Sequence, residues 1–424
     1  MPDSAPASQS GPSGAHVTVI GAGIVGVSCA AFLQREGFDV TIVDRLDPGL
    51  GTSFGNAGSV SPSAILPVAM PGMLQKVPGW LMDPLGPLTI RWSYLPFVMP
   101  WLWRFLRHAN RDEAARVARA MRALMETVFD DYADILDQAS LDRLIRRNGC
   151  LYVYENRQEL AAAGWSLDLR RNLGATMEEV GGSEIRQLEP ALNRRFDLGI
   201  FAPENGSTVD PHLLVRAIAD RVRAGGGRII RAEVRDVEIG AEGPVALLTD
   251  QGRLPVDRLV LAGGAWSSPL ARRLGAKAPL ETQRGYHVTF PDPQVDVRRT
   301  VMWNKRSVFV NPMDCGLRIA GTVELAGLSA PPNPARAEKL ARIAGDMFPD
   351  LNPGAQTIWM GHRPCLPDSL PVIDRSPRFA NTVFAFGHQH VGICSGGPTG
   401  RHVASLMAGR APSIDLSPFA ATRF

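Results

Sequence analysis

Residues 17–44, VTVIGAGIVGVSCAAFLQREGFDVTIVD, constrain this chain more tightly than any other stretch. The run at 17–20 predicts a short apolar, β-branched strand, and Gly21, Gly23 and Gly26 then give G-x-G-x-x-G at the turn into a helix. In that spacing the first glycine permits a tight turn. The second lets backbone approach a pyrophosphate, and the third lets the helix pack closely. Ile24 and Val25 open the helix, where free N–H groups and a positive dipole end suit phosphates. The helix continues through Phe32 and Leu33 to Gly37, a C-cap position. A second strand at 40–43 ends on Asp44, whose carboxylate is placed to accept hydrogen bonds from a ribose, with Arg45 beside it. An acid at this position argues against NADP and leaves NAD or FAD.

Length and charge narrow the setting. A chain of 424 residues can bury a large core and fill two or more lobes. Its formal net charge of +3, with no basic tract, speaks against a nucleic-acid partner. Cys29, Cys150, Cys315, Cys365 and Cys394 are scattered and form no C-x-x-C pair. That usage suits reduced thiols in a cytoplasmic enzyme, not a cysteine zinc site. The histidines and acids show no metal-ligand spacing, so no metal is expected. Residues 1–14 read as a disordered Pro/Ser tail without the make-up of a secretion signal, and no run of 18 apolar residues occurs.

Farther along, 49–67 is a Gly/Ser/Pro-rich loop of the kind that wraps a cofactor. Residues 88–107, LTIRWSYLPFVMPWLWRFLR, carry two readings: the wall of a substrate lobe, or a surface resting peripherally on the inner face of a membrane. Pro96 and Pro100 interrupt an amphipathic face, which favours the wall. One long amphipathic helix is expected through Val117, Leu124, Val128 and Ile135, a strand at 149–154 and a helix over 158–173. Strands at 228–239, including Val234, and 245–249 read as an antiparallel pair. A buried strand at 259–262 runs into Gly263, Gly264 and Trp266, a second strand-to-glycine turn. Residues 280–325 suit an antiparallel sheet, 334–347 a helix, and 382–407 a strand, a glycine turn and a helix from about 396. The fold class is α/β, α+β overall. A Rossmann-like nucleotide domain is expected from 15–75, 200–279 and 356–412, a substrate lobe from 76–199 and 280–355, and a tail at 413–424.

Four segments carry a family resemblance. They are the opening VIGAGIVGVSCA…VTIVD; TSFGNAGSVSP at 52–62; RGYHVTF at 284–290 with AGTVELAG at 320–327; and GHRPCLPDSLPVID at 361–374 followed by FGHQHVGICSGGPTG. Together they resemble the D-amino-acid oxidase superfamily of FAD enzymes, most closely its bacterial D-amino-acid dehydrogenases. The resemblance implies FAD, held without a covalent bond, since Cys365 stands nearer Asp368 than the linking cysteine of the sarcosine-oxidase branch. It implies that Arg363 grips the substrate carboxylate through a planar fork, with Tyr286 donating its hydroxyl to the same carboxylate or lining the pocket, and His287 and His388 also at the substrate. His388 and His390, in the glycine turn before the last helix, are by that position candidates for proton transfer. Ser53, Asn56, Ala57 and Gly58 would border the flavin ring, and the turn from Gly392 to Gly397, at the final helix, would bring N–H groups to its pyrimidine edge. Thr52, Gly361, Gly387, His390, Val391 and Ile393 are also expected at the cofactor. The implied reaction is oxidative deamination of a D-amino acid to a 2-oxo acid and ammonia, by hydride transfer from the α carbon, with electrons passed to a quinone or other carrier. Oxidation of glycine, sarcosine or a cyclic imino acid is the alternative, as is service as the FAD subunit of a larger amine dehydrogenase. Asp374 and His287 depart from the family pattern and bear on the substrate.

Overall fold

The computed structural model describes residues 14–73, 86 and 88–424. Apart from Gly14, the tail expected at 1–14 lies outside them. Two large sheets organise the rest. The first has the order β7 (Arg228–Arg231), β2 (Asp39–Asp44), β1 (His16–Ile20), β8 (Arg258–Leu261), β15 (Thr382–Phe386), β14 (Val372–Arg375). Its first five strands are parallel, and β14 runs antiparallel at the edge. Chain order reverses between β1 and β8, the switch point where an open parallel sheet leaves a crevice beyond its carboxyl ends.

Burial on both faces explains the apolar, β-branched strands. One face packs on α1 (Ile24–Arg35), α3 (Arg111–Met125), α4 (Val128–Ile135), α5 (Pro211–Ala224) and α7 (Gly392–Met407), in a core that joins Val17, Val19 and Ile42 to Val27, Met121, Ile218 and Val403. The other face packs under the meander 234–255 and the helix Ser267–Arg273, through Leu259, Leu261, Leu247 and Leu270.

The second sheet runs β13 (Thr357–Cys365), β9 (Glu281–Phe290), β12 (Gly316–Leu325), β11 (Val308–Met313), β10 (Thr300–Trp303), β4 (Cys150–Tyr154), β6 (Leu198–Ala202), β5 (Glu178–Gly181). The short β3 (Leu88–Ile90) joins the end of β12 in parallel. Most pairs are antiparallel, and β10 with β4 is parallel. The helix α6 (Pro334–Met347) covers one face, packing Ala337 and Leu340 on Tyr286, Val288 and Trp303.

Several expectations change. The long helix through 117–135 is two helices, α3 and α4, and 158–173 is also two, Arg157–Ala162 and Gly164–Asn172, the first capped by Asn156. Residues 228–239 split: β7 enters the parallel sheet, and only Val234–Ile239 pairs antiparallel with Pro244–Thr249. The final helix begins at Gly392, a turn earlier than about 396, so residues 392–397 are helical. Sheet pairing also crosses the expected segment limits, because β13 and β6 belong to the second sheet while α3 and α4 pack on the nucleotide side.

The helices α1 and α7 approach closely because Gly396 and Gly400 share one face of α7. A Cβ on Gly400 would stand 2.6 Å from the backbone carbonyl of Ser28. Gly400→Ala is expected to cost about 1–3 kcal/mol by overpacking. By contrast, Gly345→Ala in α6, where no atom lies within 4 Å of the added methyl, should gain up to about 1 kcal/mol from helix propensity. Chemical denaturation of both variants checks the pair of opposite signs.

Candidate functional site

The carboxyl ends of β1, β2, β8 and β15 open into one cleft holding about 1270 Å³ of empty space, open solvent included. Its floor is the glycine turn. Gly21 sits at φ +111°, and a Cβ there would lie 2.4 Å from the Ala262 carbonyl oxygen. A Cβ on Gly26 would lie 1.9 Å from the oxygen of Gly21, so this glycine lets the helix close on its own turn. α1 starts from an N-cap, Gly23, with no side-chain bond and no acid in its first turn. α7 likewise starts uncapped at Val391, without an acid. Two helix ends with unmet donors therefore open here, and such ends favour anions.

The cleft wall collects most of the residues expected from sequence. Gly21, Gly23, Ile24 and Val25 come from the first turn; Asp44 and Arg45 from β2; Thr52, Ser53 and Asn56 from the loop. Val234, Gly263 and Trp266 come from the middle of the chain, and His388, Gly392 and Ile393 from the approach to α7. The Asp44 carboxylate is oriented by the N–H groups of Ala22 (2.7 Å) and Leu46 (2.9 Å). Arg45 lies over the Trp266 ring at 4.2 Å, giving a flat, polarised edge. Ser53 Oγ accepts from the Ile24 N–H at 3.0 Å. Phosphate-ready helix ends, a glycine floor that tolerates no Cβ at positions 21 and 26, and an oriented acid for a ribose together fit a flavin dinucleotide.

Other expected residues stand elsewhere. Gly361 lies under Trp359, and Gly387 (φ +89°) makes a turn against Leu366. Val391 is buried at the head of α7, while His390 is exposed, its carbonyl accepting from Asn56 Nδ2 at 3.2 Å. Ala57 and Gly58 follow the loop away from the cleft, where a Cβ on Gly58 would meet Asn311 Nδ2 at 2.6 Å. Sequence reasoning missed Glu233 and Gln389, which line the cleft. Glu233 sits in the break between β7 and the meander, which periodicity does not reveal. Gln389 adopts φ +50° within the glycine turn and donates its N–H to the Pro364 carbonyl at 2.9 Å.

The 52–58 loop is gripped by the second sheet. Arg318 on β12 donates from one nitrogen to the carbonyls of Phe54 (3.1 Å) and Asn56 (2.9 Å). His287 Nδ1 donates to the Gly55 carbonyl at 3.1 Å, and its ring stacks on Trp359, centroids 5.3 Å apart. Trp359 lies so close over Gly55 that a Cβ there would fall within the indole. Thr52 Oγ1 donates to the His362 carbonyl at 2.9 Å. Burial and the Arg318 charge push His287 down to about 3, so it stays a neutral strut. Its Nδ1 is therefore taken up by the loop carbonyl and not free for substrate.

Strand alternation separates the remaining candidates. On β9, Gly285 and His287 share one face; Arg284 and Tyr286 point to the other, where Tyr286 packs under α6. The Tyr286 hydroxyl donates to Glu324 Oε2 at 2.5 Å and accepts from the Asn333 N–H at 2.9 Å. Burial, helped by Glu324, pushes it up to about 12. Its hydroxyl is thus engaged away from the Arg363 face, contrary to expectation. His388 lines the cleft with its Nε2 on Thr399 Oγ1 (3.0 Å), and burial pushes it down to about 3, so it is uncharged near neutral pH.

Arg363 on β13 lies across Gly285, where a Cβ would collide with its guanidinium at 2.2 Å. One terminal nitrogen donates to the Thr322 carbonyl at 2.9 Å. The other two nitrogens have no hydrogen-bond acceptor among the described residues, and the side chain is half-buried. A partly desolvated fork with two open donors beside the cleft suits a carboxylate.

Comparison with known proteins agrees with this geometry. The chain matches the family described as DAO, FAD dependent oxidoreductase, over residues 16–406. It is 40% identical over 421 residues to a D-amino-acid oxidase of Bradyrhizobium diazoefficiens, covering 97% of this chain and 100% of that one. It is 32% identical to a D-amino acid dehydrogenase of the same organism, covering 96% and 98%. Among solved structures, L-proline dehydrogenase from P. horikoshii shares the fold at a TM-score of 0.74 with 17% identity, covering 97% and 98%.

Arg318→Met removes two charge-assisted bonds to the loop, together worth roughly 1.5–3 kcal/mol. The dissociation constant for FAD, read from the fluorescence of released flavin, is expected to rise about ten- to a hundredfold.

Proposed function

The chain belongs to the DAO family of FAD-dependent oxidoreductases, acts on amino acids, and from that premise we propose that it deaminates D-amino acids to 2-oxo acids and ammonia. The observation that carries the reading is the open fork of Arg363 across Gly285, beside a cleft that fits a flavin dinucleotide.

FAD, bound without a covalent link, supplies a two-electron acceptor for the hydride that leaves the substrate α carbon. The chain's own residues bind and orient. Asp44 and the glycine turn hold the nucleotide end; Thr52, Ser53 and Asn56 hold the ring end. Arg363 takes the substrate carboxylate in two parallel hydrogen bonds, which fixes the orientation of the α carbon. The uncapped start of α7 offers N–H donors and a positive dipole end where negative charge gathers on reduction. The substrate amine loses its proton to solvent before the hydride leaves. The imine that results adds water and releases ammonia. His287 and His388 are buried and uncharged near neutral pH, so neither supplies a proton as an imidazolium there.

The acceptor of the electrons divides two readings. A non-oxygen carrier such as a quinone follows from the dehydrogenase-like loop at 52–62. The relative at 40% identity is named an oxidase, which favours oxygen as the second reading. Peroxide release under air separates them. Anaerobic bleaching of the bound flavin by D- but not L-amino acids tests the stereochemistry, and bleaching by neither enantiomer overturns the proposal.

Two further outcomes follow. Arg363→Ala is expected to raise KM by about a hundredfold, from roughly 3 kcal/mol of lost charge-assisted bonding, with little loss of bound FAD. Unchanged kinetics dismiss the assigned role. His388→Gln should leave the acidic limb of the kcat/KM profile between pH 5 and 8 where it is. The histidine is neutral throughout that window, so the limb belongs to the substrate ammonium.

A further inference from the structure

The segment from Arg91 to Arg111 forms a helix that is apolar on both sides. On its inner side α2 (Leu95–Arg107) buries Val98, Trp101 and Phe105 against Ile90, Leu325 and Cys365. Its outer side leaves Phe97 75% exposed, Trp103 67% and Met99 50%, with Trp92 69% exposed in the preceding 3-10 turn. Leu328, at 41%, adjoins them through Gly327, which packs on the Tyr94 ring. Burying a Trp or Phe side chain is worth roughly 1.5–3 kcal/mol, so leaving this cluster in water is unfavourable.

Charge identifies what covers it. Arg91, Arg104, Arg107 and Arg111 are exposed and form no ion pair among the described residues, and the sequence from 91 to 111 contains no Asp or Glu. A two-fold contact between copies would set this basic rim against itself, with only Asp112 and Glu113 at the start of α3 to answer four arginines, and Glu113 already held by His108 and Arg116. An anionic bilayer surface meets both demands at once. Tryptophans and phenylalanine settle at the headgroup level, and arginines stretch to lipid phosphates. At 13 residues, about 20 Å, the helix is too short to span and is suited to lying flat. No helix among the described residues is long and apolar enough to cross a membrane.

We propose that the outer face of α2, with Trp92, docks the enzyme on an anionic membrane surface. The contact reaches the site. Tyr94, between Trp92 and α2, donates its hydroxyl to the Glu281 carboxylate (2.9 and 3.1 Å), and Glu281 pairs with Cys365, two residues beyond Arg363. Docking therefore sets the strands that carry Arg363 next to the bilayer. This inference stands apart from the substrate reading and does not depend on it.

The test is flotation of the FAD-loaded enzyme with vesicles of phosphatidylcholine alone or mixed with phosphatidylglycerol, alongside tryptophan emission. Wild type should float with the anionic vesicles, less so as salt rises, and its emission should shift to the blue. The pair Phe97→Ser and Trp103→Ser should lower vesicle binding more than tenfold. The pair Arg104→Gln and Arg107→Gln should lower it roughly fivefold per arginine and flatten the salt dependence. Unchanged flavin content and turnover on soluble substrate show that the variants are folded. Failure of wild type to bind anionic vesicles at low salt overturns the proposal, as does equal binding by the serine pair. A dimer dissolved by Phe97→Ser and Trp103→Ser, or capture of an acidic protein without vesicle binding, assigns the face to a protein and overturns it too.

Discussion

Two helices whose first turns bind nothing of their own are the constraint on which this structure turns. Neither α1 nor α7 has an N-cap side-chain bond or an acid in its first turn, and at α1 Ser53 Oγ from the 52–58 loop meets the Ile24 N–H. The strand order puts both ends at one crevice, and the Gly396 and Gly400 face of α7 brings the helices close enough to share it. Two positive dipole ends at one crevice favour negative charge there. The cleft is thus suited to an anionic ligand before any side chain contributes. Asp44, oriented by two backbone N–H groups, adds an acceptor at the end of β2.

What the sequence revealed and what it hid divide along sequence separation. Residues 16–44 were legible because strand, glycine turn, helix and acid are adjacent in the chain, and each local preference agrees with the fold. The strand-to-glycine pattern repeated at Gly263 and Gly392 pointed to separated segments meeting in one sheet, but the limits drawn from it do not follow the sheets, since β13 and β6 belong to the second one. The role of Tyr286 was not legible. It stands one residue from both Gly285 and His287, and the pleat decides which face it takes; its hydroxyl goes to Glu324 on the α6 side. His388, a candidate proton-transfer group from its place in the glycine turn, does line the cleft, with its Nε2 on Thr399, a partner the sequence did not suggest. In 228–239 periodicity continued across a change of sheet, and nothing in the residue types marks the break at Ala232 and Glu233. Those errors share a cause, since each depends on partners far away in the chain.

The grip on the 52–58 loop shows why the two sheets act together. The loop's own residues face the cleft, yet its carbonyls at Phe54, Gly55 and Asn56 are held by Arg318 and His287 from the second sheet. Trp359 then presses on Gly55 from the strand that also carries Arg363. Any movement of β13 that repositions Arg363 must shift Trp359 with it. The loop and Arg363 are thus parts of one body, and the geometry between them is set by strand pairing, which is stiffer than a hinge between lobes.

The same strands concentrate charge. Arg363 donates to the Thr322 carbonyl, Arg336 to the Val323 carbonyl, and Arg284 meets Glu324 at 3.5 Å, so three arginines converge on three successive residues of β12. Arg284 and Arg336 are almost wholly buried, and Glu324 meets Arg284 on one side and the Tyr286 hydroxyl on the other. Burying cations is costly unless something compensates, and here the Thr322 and Val323 carbonyls take bonds from Arg363 and Arg336. His287, His362 and His388 around these strands are held down to between about 3 and about 4, so the charge pattern next to Arg363 stays fixed near neutral pH.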